Sequence, residues 1–156
     1  MINIELNIVI NILSLNEFSR MTVKEREEFS ENEGIEQGEI FEYLKEKYNG
    51  VKVSYVEEKI KTLYQLPITV FGSTKELNPC PCCNFKTIFE KGNYQICPVC
   101  FWEDDGNTDD MKTSSANHMT LKEAKENFKS KGAISDQFLK FVDKESEVKY
   151  YKNNYL

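Results

Sequence analysis

Two hydrophobic periods overlap at the start of the chain. Ile2, Ile4 and Leu6 alternate with asparagine and glutamate, which is the period of a strand, whereas Ile4, Ile8 and Ile12 recur every fourth residue, which is the period of a helix. Further apolar residues widen the helical stripe. We therefore favour a helix over the first fourteen residues, with a strand as the alternative.

Three later helices begin with a recognisable cap. Residues 22–25, 54–57 and 120–123 each start with serine or threonine and end with glutamate. This is the capping-box pattern, in which the hydroxyl and the carboxylate each accept a backbone N–H of the first turn. The third helix is expected to run from about residue 121 to 131. A short helix is expected over 136–142, where four apolar residues need burial: Phe138, Leu139, Phe141 and Val142.

The five cysteines are clustered within residues 80–100, and such an odd, clustered set indicates metal binding rather than a disulfide framework. Four of them form two C-P-x-C motifs, Cys80–Cys83 and Cys97–Cys100. In each motif both thiolates can turn towards one ion, and proline fixes the turn. The residue after each motif needs a positive φ, which Asn84 tolerates. Phe101 is a departure, so the second motif is expected to be less regular.

Between the motifs, Phe85–Phe89 and Tyr94–Ile96 flank a turn at residues 91–93, which predicts a β-hairpin. Two such cysteine motifs carried by a hairpin are the arrangement of a zinc ribbon. Four soft thiolates favour tetrahedral Zn²⁺, with iron as the alternative metal. Free or redox-active thiols are the alternative to a metal site.

One set of four cysteines gives both motifs the same spacing. The preferred ligands are Cys80, Cys83, Cys97 and Cys100. Cys82 is then a non-ligand beside the site, and the alternatives are a register-shifted ligand or a reactive thiol. Because protein would fill all four positions, the sequence predicts a structural zinc rather than a catalytic one. His118, the only histidine, is expected to be structural or exposed, with a catalytic Cys-His couple as the alternative.

The composition predicts a folded protein with an acidic surface. Hydrophobic residues make up 40% of the 156 residues, and 20 basic side chains stand against 26 acidic ones, for a formal net charge of −6. This charge argues against nucleic acid as a partner and favours a basic protein. The start of the sequence lacks the basic segment of a signal peptide, and no apolar run could span a bilayer, so we expect a cytoplasmic protein.

Two stretches hold the densest negative charge. Residues 25–42 contain eight glutamates and one arginine, and form either a solvated surface or a docking surface for a basic protein. Residues 101–110 combine two aromatic residues with five carboxylates. Here the alternatives are an aromatic cover over the metal site beside a solvated loop, a second site for Ca²⁺ or Mg²⁺, or a partner surface. The residues of that partner surface would be Phe101, Trp102, Glu103, Asp104 and Asp105.

Residues 78–132 contain a distinctive set of motifs: CPCCNFKT from Cys80, YQICPVCFWEDDG from Tyr94, ANHMTL from Ala116 and EAKENF from Glu123. This block resembles the bacterial cysteine-rich CPCC family, and a weaker likeness extends over residues 22–29 and 48–61. Asn84 stands where the family usually has glycine, which weakens no ligand assignment. The resemblance implies a small cytoplasmic bacterial protein with a zinc ribbon. Some family members are associated with toxin–immunity systems.

These patterns predict an α+β fold, in which a helical N-terminal part is followed by a zinc-ribbon-like β-hairpin and C-terminal helices. The expected regions are residues 1–75, 76–132 and 133–156. A boundary near residue 75 follows from Pro67, Gly72 and Ser73, which interrupt the chain before the cysteines. The tail, residues 150–156, is rich in tyrosine and asparagine, and its pattern assigns no element.

The leading functional hypothesis is a non-enzymatic, zinc-stabilised protein-interaction module. Its most specific form is an immunity protein that neutralises a basic toxin through charge complementarity. One alternative is a zinc-ribbon module that binds nucleic acid or transcription machinery. The other is a thiol-dependent redox protein or enzyme that uses Cys82 or His118.

Overall fold

The computed structural model describes residues 1–153 and mixes helix with strand. The strands are β1 (Ile2–Glu5), β2 (Ile68–Phe71), β3 (Asn78–Pro79), β4 (Lys86–Ile88), β5 (Thr113–Ser114) and β6 (Met119–Thr120). The α-helices are α1 (Leu6–Arg20), α2 (Val23–Glu33), α3 (Ile40–Glu46), α4 (Val53–Tyr64), α5 (Leu121–Lys131) and α6 (Ser146–Lys149). The predicted α+β class is confirmed, with helices before and after the cysteine motifs. None of these helices has the length and apolar character needed to cross a membrane.

The chain divides into two compact units, an N-terminal unit of Met1–Lys75 and a C-terminal unit that begins at Glu76. In the N-terminal unit, α1, α3 and α4 contact one another or the parallel pair β1–β2. Its core consists mainly of buried apolar side chains. The buried residues include Val9, Leu13, Ile40, Leu44, Val56, Ile60, Ile68 and Val70. Burial of such side chains is the main favourable term in folding this unit.

The helix favoured for the first fourteen residues is wrong at its start. Residues 2–5 form β1, which pairs in parallel with β2 so that Ile2 lies opposite Ile68 and Ile4 opposite Val70. Helix α1 begins only at Leu6. The strand depends on a partner far along the chain, which the local hydrophobic period does not reveal.

Two of the three predicted helix caps are confirmed. Thr22 and Thr120 each accept the backbone N–H of the glutamate three residues later and form complete capping boxes. The third is wrong, because α4 begins at Val53 and Ser54 lies inside its first turn. Its would-be partner, Glu57, instead accepts the Val70 N–H at 2.9 Å.

The predicted hairpin between the cysteine motifs is paired differently. Strand β4 runs antiparallel to β3, which precedes the first motif, and not to residues 94–96. The second motif is closed in the same way by a bridge between Ile96 and Glu103. The Gln95 side chain joins the two parts: its amide donates to the Thr87 carbonyl at 2.8 Å and accepts the Phe89 N–H at 2.6 Å. Each motif therefore has its own short hairpin.

Helix α5 occupies residues 121–131, as predicted. The helix expected over 136–142 is only a 3₁₀ turn at Asp136–Phe138, and none of its four apolar residues is fully buried. Phe141 is 58% exposed. The buried residues are instead Ala133 and Ile134, just before the turn. Of the tail that the sequence left unassigned, residues 154–156 lie outside the described residues.

Candidate metal centre

Four cysteine side chains meet in the interior of the C-terminal unit. The Sγ atoms of Cys80, Cys83, Cys97 and Cys100 all lie within 4.8 Å of one another. Cys80 Sγ is 3.6 Å from Cys100 Sγ, and Cys83 Sγ is 3.6 Å from Cys97 Sγ. A tetrahedral Zn²⁺ with four thiolates at 2.3 Å would set neighbouring sulfurs about 3.8 Å apart. The cluster therefore has the donor set and the spacing to hold a metal ion.

The backbone positions these thiols in the same way in both motifs. In the first motif the Cys80 N–H donates to the Phe85 carbonyl at 2.8 Å and the Asn84 N–H donates to the Cys80 carbonyl at 2.9 Å. The second motif repeats both bonds at 2.8 Å and 2.9 Å, from Cys97 N–H to Trp102 and from Phe101 N–H to Cys97. Each motif is therefore closed by the same pair of backbone hydrogen bonds.

The expectation of an irregular second motif is wrong. Phe101 has φ 71° and Asn84 has φ 68°, so both adopt the left-handed conformation that ends such a turn. This conformation is an outlier for a bulky residue. The Phe101 ring stacks on the rings of Phe138 and Phe141, with centroids 4.3 Å and 5.6 Å away. Aromatic packing therefore stabilises the backbone conformation that the side chain alone disfavours.

The segment that follows α5 runs back along both motifs. Near the second motif, the Ile134 N–H donates to the Cys100 carbonyl at 2.9 Å and the Asp143 N–H donates to the Pro98 carbonyl at 2.7 Å. The same segment reaches the first motif, again through backbone hydrogen bonds. These bonds run from Lys86 N–H to Tyr151 carbonyl at 2.8 Å and from Asn153 N–H to Asn84 carbonyl at 2.9 Å. Residues 133–153 therefore hold the outer turns of the cysteine cluster in place.

Thr87 is a neighbour of the cluster that sequence reasoning did not single out. Its side chain is buried, and Oγ1 lies 3.0 Å from Cys97 Sγ, within reach for an O–H···S hydrogen bond. Such a bond would stabilise a thiolate at Cys97. The only sequence sign was a polar residue at an inward position between Phe85 and Ile88, and that sign does not specify a role.

The four thiols are electrostatically dependent on one another. Burial raises the pKa of the Cys80 and Cys100 thiols well above the ordinary value, because a thiolate is poorly solvated there. Burial also opposes ionisation of Cys97, but hydrogen bonds from the other three cysteines and from Thr87 lower the pKa of Cys97 well below the ordinary value. Without a cation, the cluster favours a thiolate at Cys97 while Cys80 and Cys100 keep their protons. A divalent cation would supply the charge needed to ionise the rest.

The two remaining thiol and imidazole candidates lie outside this group of four. Cys82 is buried in the first motif but is not among the four convergent sulfurs. His118 is exposed and sits at the tight turn between β5 and β6, where its N–H donates to the Ser114 carbonyl at 2.9 Å. A Cys-His couple therefore has no geometric support from these positions.

The proposed partner surface at residues 101–105 is only partly accessible. Trp102 is fully buried and Asp104 is 3% exposed, so neither can anchor a partner in this structure. Asp104 accepts the Gly92 N–H at 2.9 Å and thereby ties the turn before the second motif to the loop after it. Phe101, Glu103 and Asp105 are half-buried. The prediction is corrected for Trp102 and Asp104, because the loop uses these side chains to build itself.

The carboxylates of this loop are also engaged internally, which bears on a second cation site. Asp105 accepts the Asn107 N–H at 3.0 Å and the Ser114 hydroxyl at 2.7 Å. Asp109 accepts the Met111 N–H at 2.9 Å. In the described chain, the four cysteines form the group of side chains able to hold a metal ion, and no carboxylate belongs to it.

The acidic stretch at residues 25–42 is different, because all eight of its glutamates are exposed. It spans α2, a 3₁₀ turn and the start of α3. Some of its carboxylates complete caps or pair with a nearby group, such as Glu42 with Lys45 at 3.0 Å. Within residues 1–153, Glu27 and Glu31 belong to neither kind of interaction. We call residues 25–42 the acidic surface.

Comparison with known proteins links the cysteine segment to one family. Residues 78–148 match the model of a protein family described as Cysteine-rich CPCC, which confirms the resemblance seen in the sequence. The matched region contains both motifs, α5 and most of the segment that runs back along them. Neither the curated proteins nor the solved structures gave a match to the chain.

Proposed function

Residues 78–148 match the Cysteine-rich CPCC family. We propose that this protein is a non-enzymatic protein-interaction module. One structural Zn²⁺ stabilises it, and its partner is a basic protein. The observation that carries the proposal is the tetrad of buried cysteines whose Sγ atoms all lie within 4.8 Å of one another. Protein sulfur would fill all four coordination positions. A zinc site without a free position holds a fold together and does not activate water.

Zinc is favoured over other metals by the donor set. Four thiolates in a tetrahedral arrangement suit Zn²⁺ or iron, whereas Ca²⁺ and Mg²⁺ prefer oxygen. Elemental analysis of the protein purified without added metal should give about one zinc per chain. Stoichiometric iron would contradict the metal assignment, and free thiols without metal would contradict the site as a whole.

The charge distribution supports a basic partner. The formal net charge is −6, and four thiolates around one Zn²⁺ would add two further negative charges. Eight exposed glutamates concentrate this charge on the acidic surface. Such a surface repels phosphate and accelerates encounter with a cationic protein at low ionic strength. Nucleic acid is the disfavoured partner for the same reason.

Two double variants test the acidic surface. Glu27→Gln with Glu31→Gln removes two exposed charges from it, whereas Glu58→Gln with Glu126→Gln removes two exposed charges elsewhere. In affinity capture from the source cells at low salt, the wild type and the second variant should retain the same basic protein, and the first variant should retain less of it. This difference should shrink as salt rises, because salt screens the exposed charges. Equal retention by both variants, or capture of nucleic acid instead, would contradict the proposal.

The most specific form of the proposal is immunity against a basic toxin. It is supported by the association of some family members with toxin–immunity systems and by charge complementarity. Co-expression with the product of the neighbouring gene is the direct test. Protection of the cells, lost on removal of the charges at Glu27 and Glu31, would support it. Unchanged toxicity would contradict the immunity function. It would not bear on the zinc site or on a basic partner, which the experiments above test separately.

A further inference from the structure

The last described part of the chain crosses from one cysteine motif to the other. At the second motif, the Asp143 N–H donates to the Pro98 carbonyl at 2.7 Å. Further along the chain, the Asn153 N–H donates to the carbonyl of Asn84, which directly follows the first motif, at 2.9 Å. We call residues 143–153 the strap. The strap joins the same two motifs that a metal ion would join through their sulfurs.

The end of the strap lies along the chain as an additional strand. It runs antiparallel to the residues around the start of β4. The Lys86 N–H of β4 donates to the Tyr151 carbonyl at 2.8 Å. Asn84 and Asn153 bond in both directions, because the Asn84 side-chain amide also donates to the Asn153 carbonyl. Backbone and amide groups beside the first motif therefore hold the end of the strap.

The middle of the strap is braced by its own side chains. Lys149 Nζ pairs with Asp143 Oδ2 at 2.7 Å, and these side chains are only 20% and 18% exposed. Tyr150, the next residue, is buried. Ordering a flexible segment costs conformational entropy, and these internal contacts offset part of that cost. The strap therefore forms one connected element between the two motifs.

The two motifs depend on the strap to different degrees. The second motif also has contacts from residues before the strap: the Ile134 N–H donates to the Cys100 carbonyl, and the Phe138 ring stacks on Phe101. The first motif is instead held by the end of the strap, near the end of the chain. Segments near a chain end open at a lower free energy than segments fixed on both sides. The end of the strap is therefore the part expected to detach first.

We propose that the strap is a metal-dependent conformational element, whose end docks beside the first motif when the four cysteines bind an ion and detaches when the ion is lost. The ion and the strap are two links between the same pair of motifs. Each link makes the other easier to form, because the motifs are already close together. Such coupling is reciprocal, so a strap that docks poorly must also weaken metal binding by the same factor. The inference rests on the metal site of the proposed function and is independent of the basic partner.

Amide hydrogen exchange of the full chain, with zinc and after its removal by a chelator, follows the strap directly. The Lys86 and Asn153 N–H groups form the bonds beside the first motif, so they should exchange at least about tenfold faster without the metal. The Gly132 N–H, which donates to the Phe128 carbonyl at the end of α5, should be accelerated at least about threefold less. Equal acceleration at all three amides would mean that the whole C-terminal unit unfolds, which would overturn a strap that responds on its own.

Two substitutions at residue 153 form a matched pair. Asn153→Pro removes the backbone N–H that donates to Asn84, whereas Asn153→Ala keeps it. The proline variant should bind zinc at least about fivefold more weakly than the wild type, and the alanine variant should stay within about twofold. Asn84→Gly keeps a residue suited to the positive φ but loses the side-chain donor, so its affinity should fall between them. Competition with a chromophoric chelator measures all three affinities.

The outcomes separate the strap from the metal site. Equal zinc affinity of the proline and alanine variants would overturn the coupling, as would amide exchange at residues 86 and 153 that does not respond to zinc. Either result, in a chain that takes up zinc, would leave the metal site of the proposed function intact. A chain that takes up no zinc would overturn both the metal site and the strap.

Discussion

The Phe101 ring stacks on the Phe138 ring, with centroids 4.3 Å and planes 21° apart, although Phe101 has a backbone conformation that suits glycine. Its counterpart in the first motif, Asn84, meets the same backbone requirement with a residue that tolerates it. In the second motif, the unfavourable backbone conformation of Phe101 is thus offset by ring stacking with a residue that lies beyond α5 in the chain.

This arrangement predicts that glycine at residue 101 gives a more stable protein than alanine, which is the reverse of the usual order. Phe101→Ala and Phe101→Gly both lose the ring stack, but only glycine also relieves the left-handed strain. The glycine variant should therefore be more stable than the alanine variant by about 1 kcal/mol. Chemical denaturation of the metal-loaded protein measures this difference. Lys129, which is exposed in α5, provides the control: Lys129→Gly should be about 1 kcal/mol less stable than Lys129→Ala. If alanine were the more stable residue at both sites, residue 101 would carry no left-handed strain.

Replacement of single cysteines should separate ligands from non-ligands. Cys97→Ser should lose most of the metal, because serine is a poor ligand for a soft-donor site. Cys82→Ser should keep about one zinc per chain, since Cys82 is not among the four convergent sulfurs. Elemental analysis of both variants checks this. Metal loss from Cys82→Ser with retention in Cys97→Ser would mean that the ligand register is wrong.

Thr87 should affect metal retention without being a ligand. Thr87→Val removes the hydroxyl 3.0 Å from Cys97 Sγ and nearly conserves volume, so affinity for zinc should fall about tenfold or more. Thr87→Ser retains a hydroxyl and should therefore keep most of the wild-type affinity for zinc. Competition with a chromophoric chelator gives both values. If valine and serine variants behave alike, the hydroxyl does not stabilise the thiolate.

Metal affinity should rise with pH. The pKa of the Cys80 and Cys100 thiols is raised by burial, so both are protonated near neutrality and must release protons when a cation binds. Cys97, whose pKa is lowered, contributes little to this release. The pKa of Cys83 is raised as well: hydrogen bonds with Cys100 and Cys80 lower it, but the hydrogen bond with Cys97 and burial raise it more. Calorimetry in two buffers of different ionisation enthalpy should therefore report up to about three protons released per zinc, from Cys80, Cys83 and Cys100. An affinity independent of pH between neutral and mildly acidic solution would contradict this account.

The three serine or threonine sites with a glutamate three residues later should differ in their contribution to stability. Thr120→Ala removes a complete capping box from α5 and should lower the free energy of unfolding by about 1 kcal/mol. Ser54→Ala should change it by less than about 0.5 kcal/mol, because Ser54 is exposed inside α4. Thermal or denaturant unfolding of both variants measures this difference in the free energy of unfolding. Similar losses at both sites would show that Ser54 caps the helix in solution.

Local signals in the sequence were sufficient for much of the fold. The caps at Thr22 and Thr120 and the spacing of the two cysteine motifs each depend on a few adjacent residues, and the structure contains them. The same pattern failed at Ser54, where Glu57 instead pairs with the Val70 N–H of β2. A capping motif in the sequence therefore predicts a cap correctly unless a residue distant in the chain binds one of the capping side chains.

Features that depend on distant pairing could not be predicted. The strand β1 exists because β2 lies beside it, and the positive φ of Phe101 persists because Phe138 and Phe141 pack on its ring. The sequence pattern at Trp102 and Asp104 likewise does not distinguish an exposed acidic patch from a loop that buries its own polar groups. The structure decides this through the Gly92 N–H bonded to Asp104.

The backbone bonds from the Ile134 N–H to the Cys100 carbonyl and from the Lys86 N–H to the Tyr151 carbonyl also bear on the order of events when the protein is made. On the ribosome the chain emerges from its N-terminus, so all four cysteines leave the exit tunnel before the segment that closes over them. For that interval the thiols are complete as a set but still open to solvent. A newly made chain can therefore take up its ion before residues 133–153 are in place.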